Sequence, residues 1–421
     1  MLTTREINKN ITLTYIPMGK LKTTTVGFYI HRPLSEDEAS MNALLAAVMK
    51  QGSSEYPGME YISKRLDSLY GSRFTAAVSK KGEDQIIAFE AEGISDRYVP
   101  EGEELLKELI DFILGVIFKP LTEGDGFKKD IFAQEKKNLI DKIRAAINDK
   151  RVYAHEKLCK ITSEGSRYAV SRLGDEEHAQ AIENADLFVH YKNIITSSPI
   201  DIYIAGDADV DMAEETVKKA VSEMNFNEGK IQRAEILSKR EEPKNVSEAM
   251  DVTQGKLAMS FTTGIKPTDE AYWGMVVANS IFGAGAHSKL FNNVREKLSL
   301  AYYAGSQMHK HKGFIAVNAG VEFENFNKAY DEILIQLDEL KKGNISELEM
   351  TAAKMALVNN LNSYYDDQFY MQSFYLGEKV CGTNYDIDYY IEKINAVTIE
   401  DVVSSAKNIS LDSVYFLKGK E

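Results

Sequence analysis

Alternating β-branched and polar residues near the start of the chain predict two strands, residues 11–16 and 23–30, joined as a hairpin through Pro-Met-Gly-Lys. Ser35 and Glu38 then form a capping-box pattern, which predicts a helix with apolar residues at helical spacing up to Met49. Further strands are predicted at residues 72–79, 85–92 and 200–205, and long helices at about 105–117 and 127–146. The first half of the chain therefore mixes strands with covering helices.

The second half repeats this order of elements. Strand patterns at residues 256–263 and around Lys312-Gly313 alternate with helical patterns at 268–282, 288–298, 329–341 and 347–361. Lys81-Gly82 precedes an apolar run just as Lys312-Gly313 does, and Asp186 with a following Lys-Asn-Ile is matched by Asp401 with the same tripeptide. These correspondences predict an internal duplication.

A polar, charged segment separates the two halves. Residues 225–247 contain Asn-Glu-Gly-Lys and Lys-Arg-Glu-Glu-Pro-Lys and few apolar residues, which indicates an exposed linker. The predicted domains are residues 1–224 and 248–421. The predicted fold class is α+β, with two homologous domains that each contain a mainly antiparallel sheet covered by helices.

Composition excludes several classes of function. The chain of 421 residues has a net charge of −14 with dispersed lysines and arginines, which argues against nucleic-acid binding. Its two cysteines fit a reducing compartment better than a disulfide framework. No apolar run has the length of a membrane span, and the N-terminus lacks the apolar core of a signal peptide. We therefore expect a cytoplasmic protein without a membrane partner.

Residues 283–306 contain the most informative pattern. The Gly-rich start lacks GxxxxGK[ST] and is predicted to be a connection between helices rather than a phosphate loop. Leu290, Phe291, Val294 and Leu298 then predict an amphipathic helix, which places Arg295 near a helix end and Tyr302 at the start of a strand. Both side chains could converge on one acceptor oxygen. By spacing alone, a helix-end ion pair and a half-buried sheet tyrosine remain the commoner alternatives.

The same segment resembles a known family. Phe-Gly-Ala-Gly-Ala-His-Ser-Lys-Leu-Phe, followed by Arg-Glu-Lys-Leu-Ser-Leu-Ala-Tyr, is similar to the C-terminal-half signature of the pitrilysin/insulinase family. These are inverzincin metallopeptidases and their mitochondrial-processing-peptidase-like relatives, and the chain looks like an inactive bacterial branch. The resemblance implies a duplicated LuxS/metallopeptidase-like fold and assigns Arg295 and Tyr302 to substrate contact. The departures from the signature are Ala284, His287, Lys289 and Ser299.

The zinc motif of that family is missing. Inverzincins place H-x-x-E-H on a first-domain helix, where two histidines bind zinc and the glutamate acts as a base. The end of the family's zinc-binding helix can be aligned with the end of the first predicted helix of this chain. The first histidine, the glutamate and the second histidine of the motif then fall on Ala43, Ala46 and Ala47, and the resemblance places the third zinc ligand on Glu135. Alanines bind no metal, and a glutamate among lysines is more often a solvated helix charge than a remnant ligand. No metal or cofactor is therefore expected in this chain.

The remaining histidines and cysteines offer no local ligand pair. His31, His155, His178 and His190 are isolated in sequence, and Cys159 and Cys381 have no CxxC partner. His309 and His311 alternate with lysines on a predicted strand, and neighbouring positive charge opposes a cation there.

Three functional hypotheses follow. In the favoured one, the chain is a non-catalytic subunit that pairs with a zinc-bearing, H-x-x-E-H-containing homologue and supplies Arg295 and Tyr302 in trans for peptide hydrolysis, with zinc only in the partner. In the alternative, it is a self-associating peptide-binding or scaffold protein, a homodimer without a hydrolytic role. An active peptidase with an unrecognised metal site is disfavoured by the three alanines.

Overall fold

The computed structural model describes residues 2–420, which form two compact units. Unit 1 contains the residues up to Arg144 together with Val170–Gln232 and Tyr364–Val380. Unit 2 contains Ala145–Ala169, Arg233–Ser363 and the chain from Cys381 onward. The strands are β1 Thr3–Glu6, β2 Ile11–Pro17, β3 Thr23–Pro33, β4 Arg73–Lys81, β5 Asp84–Ile94, β6 Thr122–Glu123, β7 Gly126–Phe127, β8 Ile200–Gly206, β9 Lys244–Met250, β10 Gly255–Thr262, β11 Ala301–His309, β12 Phe314–Val321 and β13 Ser410–Gly419.

Helices cover both sheets, as predicted. They are α1 Glu36–Lys50, α2 Met59–Ser68, α3 Leu105–Phe118, α4 Lys129–Ala145, α5 Lys150–Thr162, α6 Glu176–Ala181, α7 Asn184–Ser197, α8 Val210–Val221, α9 Ala271–Phe282, the π-helical segment Leu290–Lys297, α10 Phe326–Lys342, α11 Glu347–Ser363, α12 Gln368–Cys381, α13 Ile387–Ala396 and α14 Ile399–Ala406. Among the helices of residues 2–420, none is both long enough and apolar enough to cross a bilayer.

The sheet of unit 1 has the order β1-β2-β8-β3-β5-β4. The predicted hairpin of β2 and β3 is wrong, because β8 lies between them, parallel to β2 and antiparallel to β3. Every residue of β8 is buried, so this strand occupies the centre of the sheet. Because β8 is nearly 200 residues away in sequence, the alternation of apolar and polar residues in β2 and β3 does not indicate that a strand lies between them.

The sheet of unit 2 has the order β11-β12-β10-β13-β9. If β1 is set aside, the two orders correspond strand for strand, and each sheet contains one parallel pair, β2 with β8 and β9 with β13. The turns from β4 to β5 and from β11 to β12 both require a left-handed residue, Gly82 at φ 60° and Gly313 at φ 64°. The predicted duplication and the α+β fold class are thus confirmed.

The units do not follow the contiguous boundaries predicted at residues 1–224, 225–247 and 248–421. Helix α5 belongs to unit 2, where Ala154 and Leu158 are buried in an apolar cluster with residues of β10, β12 and β13. Most of α12 belongs to unit 1, where Gln372 donates a hydrogen bond to the Thr25 hydroxyl at 2.8 Å. The predicted linker also divides between the units, and β9 starts within it. Each unit therefore needs residues from both halves of the chain.

Helix α1 begins where the sequence predicts. The Ser35 hydroxyl accepts the backbone N–H of Glu38 at 3.3 Å, which caps the helix. The reciprocal half of a capping box is replaced, because the Glu38 carboxylate instead accepts two hydrogen bonds from the Arg32 guanidinium. Most residues of α1 are buried in the apolar core of unit 1, so packing constrains most of the sequence of this helix.

Candidate functional site

Arg295 and Tyr302 lie on either side of a sharp change in chain direction. Arg295 is in the π-helical segment, where the N–H of Leu298 donates to the carbonyl of Asn293 at 3.1 Å, five residues back. Ser299 follows with φ 50°, a left-handed conformation that is strained for a residue with a side chain. The predicted α-helix is therefore wider than expected, and π-helical turns are frequent at functional sites.

The wider turn changes which side chains are buried. Leu290 and Val294 are buried as predicted, but Leu298 is 45% exposed. Phe291 is half-buried, and the guanidinium of Arg295 lies over its ring at 4.6 Å from the centroid. Arg295 is 41% exposed and has a second contact, 3.5 Å from Nη1 to Glu296 Oε1. The guanidinium is thus held against Phe291 while remaining accessible.

Tyr302 is the extra residue of a β-bulge. In the pairing of β11 with β12, Ala301 faces Val321 and Tyr303 faces Gly320, so Tyr302 has no opposite residue. Bulges redirect side chains and are common beside active sites. Here the bulge leaves Tyr302 65% exposed instead of half-buried in the sheet. Its hydroxyl donates to Glu322 Oε1 at 2.8 Å.

Both predicted residues line one hollow of about 410 Å³, together with Glu296, residues 299–301 and Glu322. The hydrogen bond to Glu322 and the charge of that carboxylate raise the pKa of Tyr302, so the phenol stays protonated at neutral pH. The hollow therefore presents a fixed positive charge and a hydroxyl donor side by side. Both groups donate hydrogen bonds to oxygen acceptors such as carbonyls.

Glu322 was missed by the sequence analysis. It directly follows the last residue of β12, so the β11–β12 pairing places it beside Tyr302. A neighbouring hollow of about 660 Å³ also includes Tyr302 and Glu322, and it adds the cations Lys150 and Lys256. Burial lowers the pKa of Lys256 from its ordinary value. Across the two hollows, the basic side chains of Arg295, Lys150 and Lys256 are accompanied by three carboxylates, those of Glu296, Asp251 and Glu322. The surface around Tyr302 therefore offers both hydrogen-bond donors and acceptors to a peptide.

The Gly-rich stretch before this segment is a connection, as predicted. Gly283 ends α9, and its carbonyl accepts the N–H of Ser306 in β11 at 2.8 Å. A Cβ at Gly283 would lie only 2.6 Å from the Ser306 hydroxyl oxygen. The glycine is therefore needed for close contact with β11.

The three alanine positions on α1 offer no metal ligand. Ala43 and Ala46 are 7% and 1% exposed and belong to the first apolar core, and Ala47 is half-buried. The zinc of the family does not fit here, because no donor atom projects from these positions. Within residues 2–420, the one group of three possible ligand side chains lies in unit 2 and includes none of these positions.

Glu135 is not the solvated charge that its lysine neighbours suggest. It is 7% exposed, and Oε1 accepts hydrogen bonds from Gln51 at 3.0 Å and from Asn138 at 3.1 Å. Gln51 is the C-terminal cap of α1, so Glu135 lies beside the end of the helix that carries the three alanines. A buried carboxylate thus remains where the resemblance places a third ligand, and amides occupy its acceptor sites.

Asn42, next to the aligned positions, belongs to a polar network in the core. Its side chain donates to Gln85 Oε1 at 2.8 Å and lies 2.8 Å from His190 Nε2. Burial lowers the pKa of His190, which favours the neutral ring. His190 is therefore a structural hydrogen-bonding residue, and its partner is distant in sequence.

His31 is likewise part of a buried network. Its Nδ1 lies 3.2 Å from Asp84 Oδ2 and its Nε2 lies 3.0 Å from Asp201 Oδ2. The second oxygen of Asp201 accepts hydrogen bonds from Thr12 at 2.5 Å and from Lys379 of α12. This set of charges lies in unit 1 and fixes α12 to the sheet.

His309 and His311 do not lie on the same strand, contrary to prediction. His309 ends β11, and its Nδ1 lies 2.9 Å from the Tyr168 hydroxyl. His311 lies in the following turn, with Nδ1 3.2 Å from Cys381 Sγ. Chain reversal after His309 separates the two rings and gives them different partners.

Comparison with known proteins places the chain in a family. The family model described as the Peptidase M16 inactive domain matches residues 181–357. The chain is 32% identical to "Probable inactive metalloprotease YmfF" of Bacillus subtilis strain 168 over 98% of its own length and 96% of that protein. It is 21% identical to the "Uncharacterized zinc protease YmxG" of the same strain over 77% of this chain and 78% of that protein.

A solved structure has the same fold over the full length. A conserved protein from Enterococcus faecalis V583 is 29% identical, superposes with a TM-score of 0.92, and covers 100% of this chain and 99% of its own. These likenesses agree with a helix α1 that has alanine at residues 43, 46 and 47. The chain belongs to the M16 family of metallopeptidases, as one of its inactive homologues.

Proposed function

We propose that this chain is the non-catalytic subunit of a peptidase complex and donates Arg295 and Tyr302 to an active site completed by a zinc-bearing relative. The observation that carries the proposal is the contrast between helix α1 and the segment that contains Arg295 and Tyr302. Helix α1 presents three alanines at the aligned zinc positions, whereas the π-helical segment and the bulge in β11 present a guanidinium and a phenol in one hollow. A cytoplasmic location is part of the proposal.

The chemistry assigned to the pair is hydrogen-bond donation to a peptide carbonyl. Attack on that carbonyl places negative charge on its oxygen, and positioned donors stabilise this charge most when it is fully developed. Arg295 supplies a charged donor that cannot lose its proton at neutral pH, and Tyr302 supplies a neutral one. Glu322 holds the Tyr302 hydroxyl in the free chain, and a substrate carbonyl would take over this hydrogen bond.

The existence of separate inactive and zinc-bearing relatives supports the pairing. Bacillus subtilis strain 168 encodes both of the relatives described above, one named as inactive and one as a zinc protease. Under this proposal the inactive chain contributes the substrate-binding pair and the zinc-bearing chain contributes the metal.

The test is reconstitution with the zinc-bearing relative from the same genome. Each chain is purified alone, and cleavage of fluorogenic peptides is measured before and after mixing. We expect activity to require the mixture. Arg295→Ala should lower kcat/KM by about 10- to 100-fold and Tyr302→Phe by up to about tenfold, the range for losing a charged and a neutral hydrogen bond.

Matched variants control for indirect effects. Lys297→Ala removes a neighbouring exposed cation that does not line the hollow, and Tyr370→Phe removes an exposed hydroxyl in unit 1. Both should leave the rate of the mixture unchanged. No gain of cleavage on mixing, or equal losses in the control variants, would contradict the proposal.

A second candidate function rests on the position of β11. This strand contains Tyr302 and lies at the edge of its sheet, so an extended peptide could add to it through backbone hydrogen bonds. Gly283 already occupies the N–H of Ser306, which limits such addition to the part of β11 nearest Tyr302. Under this alternative the chain self-associates and binds peptides without hydrolysis. Arg295→Ala would then weaken peptide binding but change no turnover.

A further inference from the structure

Three potential metal ligands converge in unit 2, far in sequence from the zinc motif of the family. His155 and Cys159 are four residues apart on α5 and so share one face of the helix, and His309 is the last residue of β11. One ligand atom from each lies within 4.8 Å of the others. Cys159 Sγ is 3.6 Å from His155 Nε2.

The first two ligands already have the separation that a tetrahedral ion needs. With a Zn–N distance of about 2.1 Å and a Zn–S distance of about 2.3 Å, the nitrogen and sulfur of a tetrahedral site are about 3.6 Å apart. The third ligand has to approach by about 1 to 1.5 Å. The rings of His155 and His309 are stacked at 5.3 Å with an angle of 27°, so binding requires a rotation of one or both rings.

Outer partners hold the other nitrogen of each imidazole. His155 Nδ1 lies 3.2 Å from the side-chain amide of Asn318, and His309 Nδ1 lies 2.9 Å from the Tyr168 hydroxyl. A 180° rotation of the Asn318 amide would place its oxygen at this position, where it accepts a hydrogen bond from Nδ1–H of His155. In metal sites, such contacts fix the histidine tautomer and direct the opposite nitrogen to the ion. Both rings are therefore arranged to offer Nε2.

The surroundings shield this group of side chains from water. Cys159 is 8% exposed, and Phe314 stacks on His309 with ring centroids 4.3 Å apart. The lysines that argue against a cation in the sequence have other contacts. Lys312 donates to the backbone carbonyl of Glu235, and Lys310 lies 3.4 Å from the Tyr390 hydroxyl.

We propose that His155, Cys159 and His309 form a Zn²⁺ site with three protein ligands and an open fourth position. A thiolate with two imidazoles is a typical ligand set for zinc. On binding, the Cys159 thiol loses its proton to solvent and its sulfur forms the bond to zinc, with no change of oxidation state. The site is independent of the proposed peptidase pairing, and it uses none of the residues around Tyr302.

The test measures metal in the purified full-length chain without a partner. After equilibrium dialysis against Zn²⁺, elemental analysis should give one zinc per chain. Replacement with Co²⁺ should produce thiolate-to-metal charge-transfer absorption. Cys159→Ser should abolish that absorption, and His155→Ala should weaken Zn²⁺ affinity at least tenfold. Tyr168→Phe, which removes only an outer partner, should weaken it about 10- to 100-fold.

The second cysteine provides a matched control. Cys381 also lies beside a histidine, His311, but this pair has no third ligand in the part of the chain that the structure describes. Cys381→Ser should therefore retain zinc and the cobalt absorption. Fluorescence of Trp273, a buried residue of unit 2, checks that each variant is folded. Absence of zinc from the folded chain, or loss of zinc in Cys381→Ser but not in Cys159→Ser, would overturn the proposal.

Discussion

Asp201 is the residue through which the stability of unit 1 should depend on acid. Burial alone would raise the pKa of its carboxyl group, but the hydrogen bond and charge of His31 and the ammonium group of Lys379 outweigh burial and lower the pKa from 3.8 to about 2. A carboxylate with a lowered pKa stabilises the fold above its unfolded pKa, and this stabilisation is lost as pH falls through the folded pKa.

The size of the effect follows from this difference in pKa. One pKa unit corresponds to about 1.4 kcal/mol, so ionised Asp201 contributes about 2 kcal/mol at pH 5 and less than about 0.5 kcal/mol at pH 2. Asp201→Asn mimics the protonated carboxyl group at every pH. The difference in free energy of unfolding between the native protein and this variant should therefore shrink from about 2 kcal/mol towards zero over that range.

The assay is urea unfolding followed by circular dichroism at several pH values. Asp125→Asn serves as the control, because Asp125 is exposed in the turn between β6 and β7, and this change should leave the free energy of unfolding the same at each pH. The single tryptophan, Trp273, reports unit 2 separately. A difference for Asp201→Asn that is equal at pH 5 and pH 2 would refute the claim that Asp201 is ionised and paired in the folded chain.

Three further changes have expected outcomes. Ser299→Gly should raise the free energy of unfolding by about 0.5 to 1 kcal/mol in urea titrations, because glycine adopts φ 50° without strain. The control Ser410→Gly, in β13, should lower the free energy of unfolding. If both variants were less stable than the native protein, Ser299 would not be strained. Ala46→Glu should lower the free energy of unfolding by about 3 kcal/mol or more in the same titration, because it buries a carboxylate. Ala47→Glu should lower it less, because Ala47 is only half-buried. Equal, small effects of the two changes would mean that α1 is exposed to solvent. The pKa of His31 is raised because its hydrogen bonds to two carboxylates outweigh burial. Its contribution to the free energy of unfolding is therefore complete below pH 6.5 and is lost as pH rises through the raised pKa. If the free energy of unfolding did not change above pH 6.5, the ring would be neutral in the folded chain.

Local patterns in the sequence were sufficient for many of the strands and helices and for the duplication. The alternation in β4 and β5, the cap at Ser35 and the two Lys-Gly turns each depend on residues that are close in sequence. The hydrophobic face of α1 and the missing zinc ligands were also readable, because a helix places residues three and four apart on one side. The fold class follows from these features, whereas the family was indicated by the resemblance of residues 283–306 to its signature.

Features that depend on pairing over long distances could not be predicted. The alternation in β2 and β3 is compatible with direct pairing, and only the buried, distant strand β8 decides otherwise. The bulge that exposes Tyr302 arises from a mismatch in register between β11 and β12, which neither strand records alone. Helix α5 and strand β11 are remote in sequence, so the convergence of His309 with Cys159 had no local signal.

The exchange of segments between the units has a consequence for synthesis on the ribosome. Unit 1 includes Tyr364–Val380, so it lacks a helix until roughly 150 residues after Gln232 have been added. At 5 to 20 residues per second, this interval lasts on the order of 10 to 30 s. During it, Asp201 lacks the ammonium group of Lys379, and the Thr25 hydroxyl lacks Gln372. Unit 1 therefore stays incomplete while most of unit 2 is translated, and chaperones have time to engage the part of its sheet that α12 contacts.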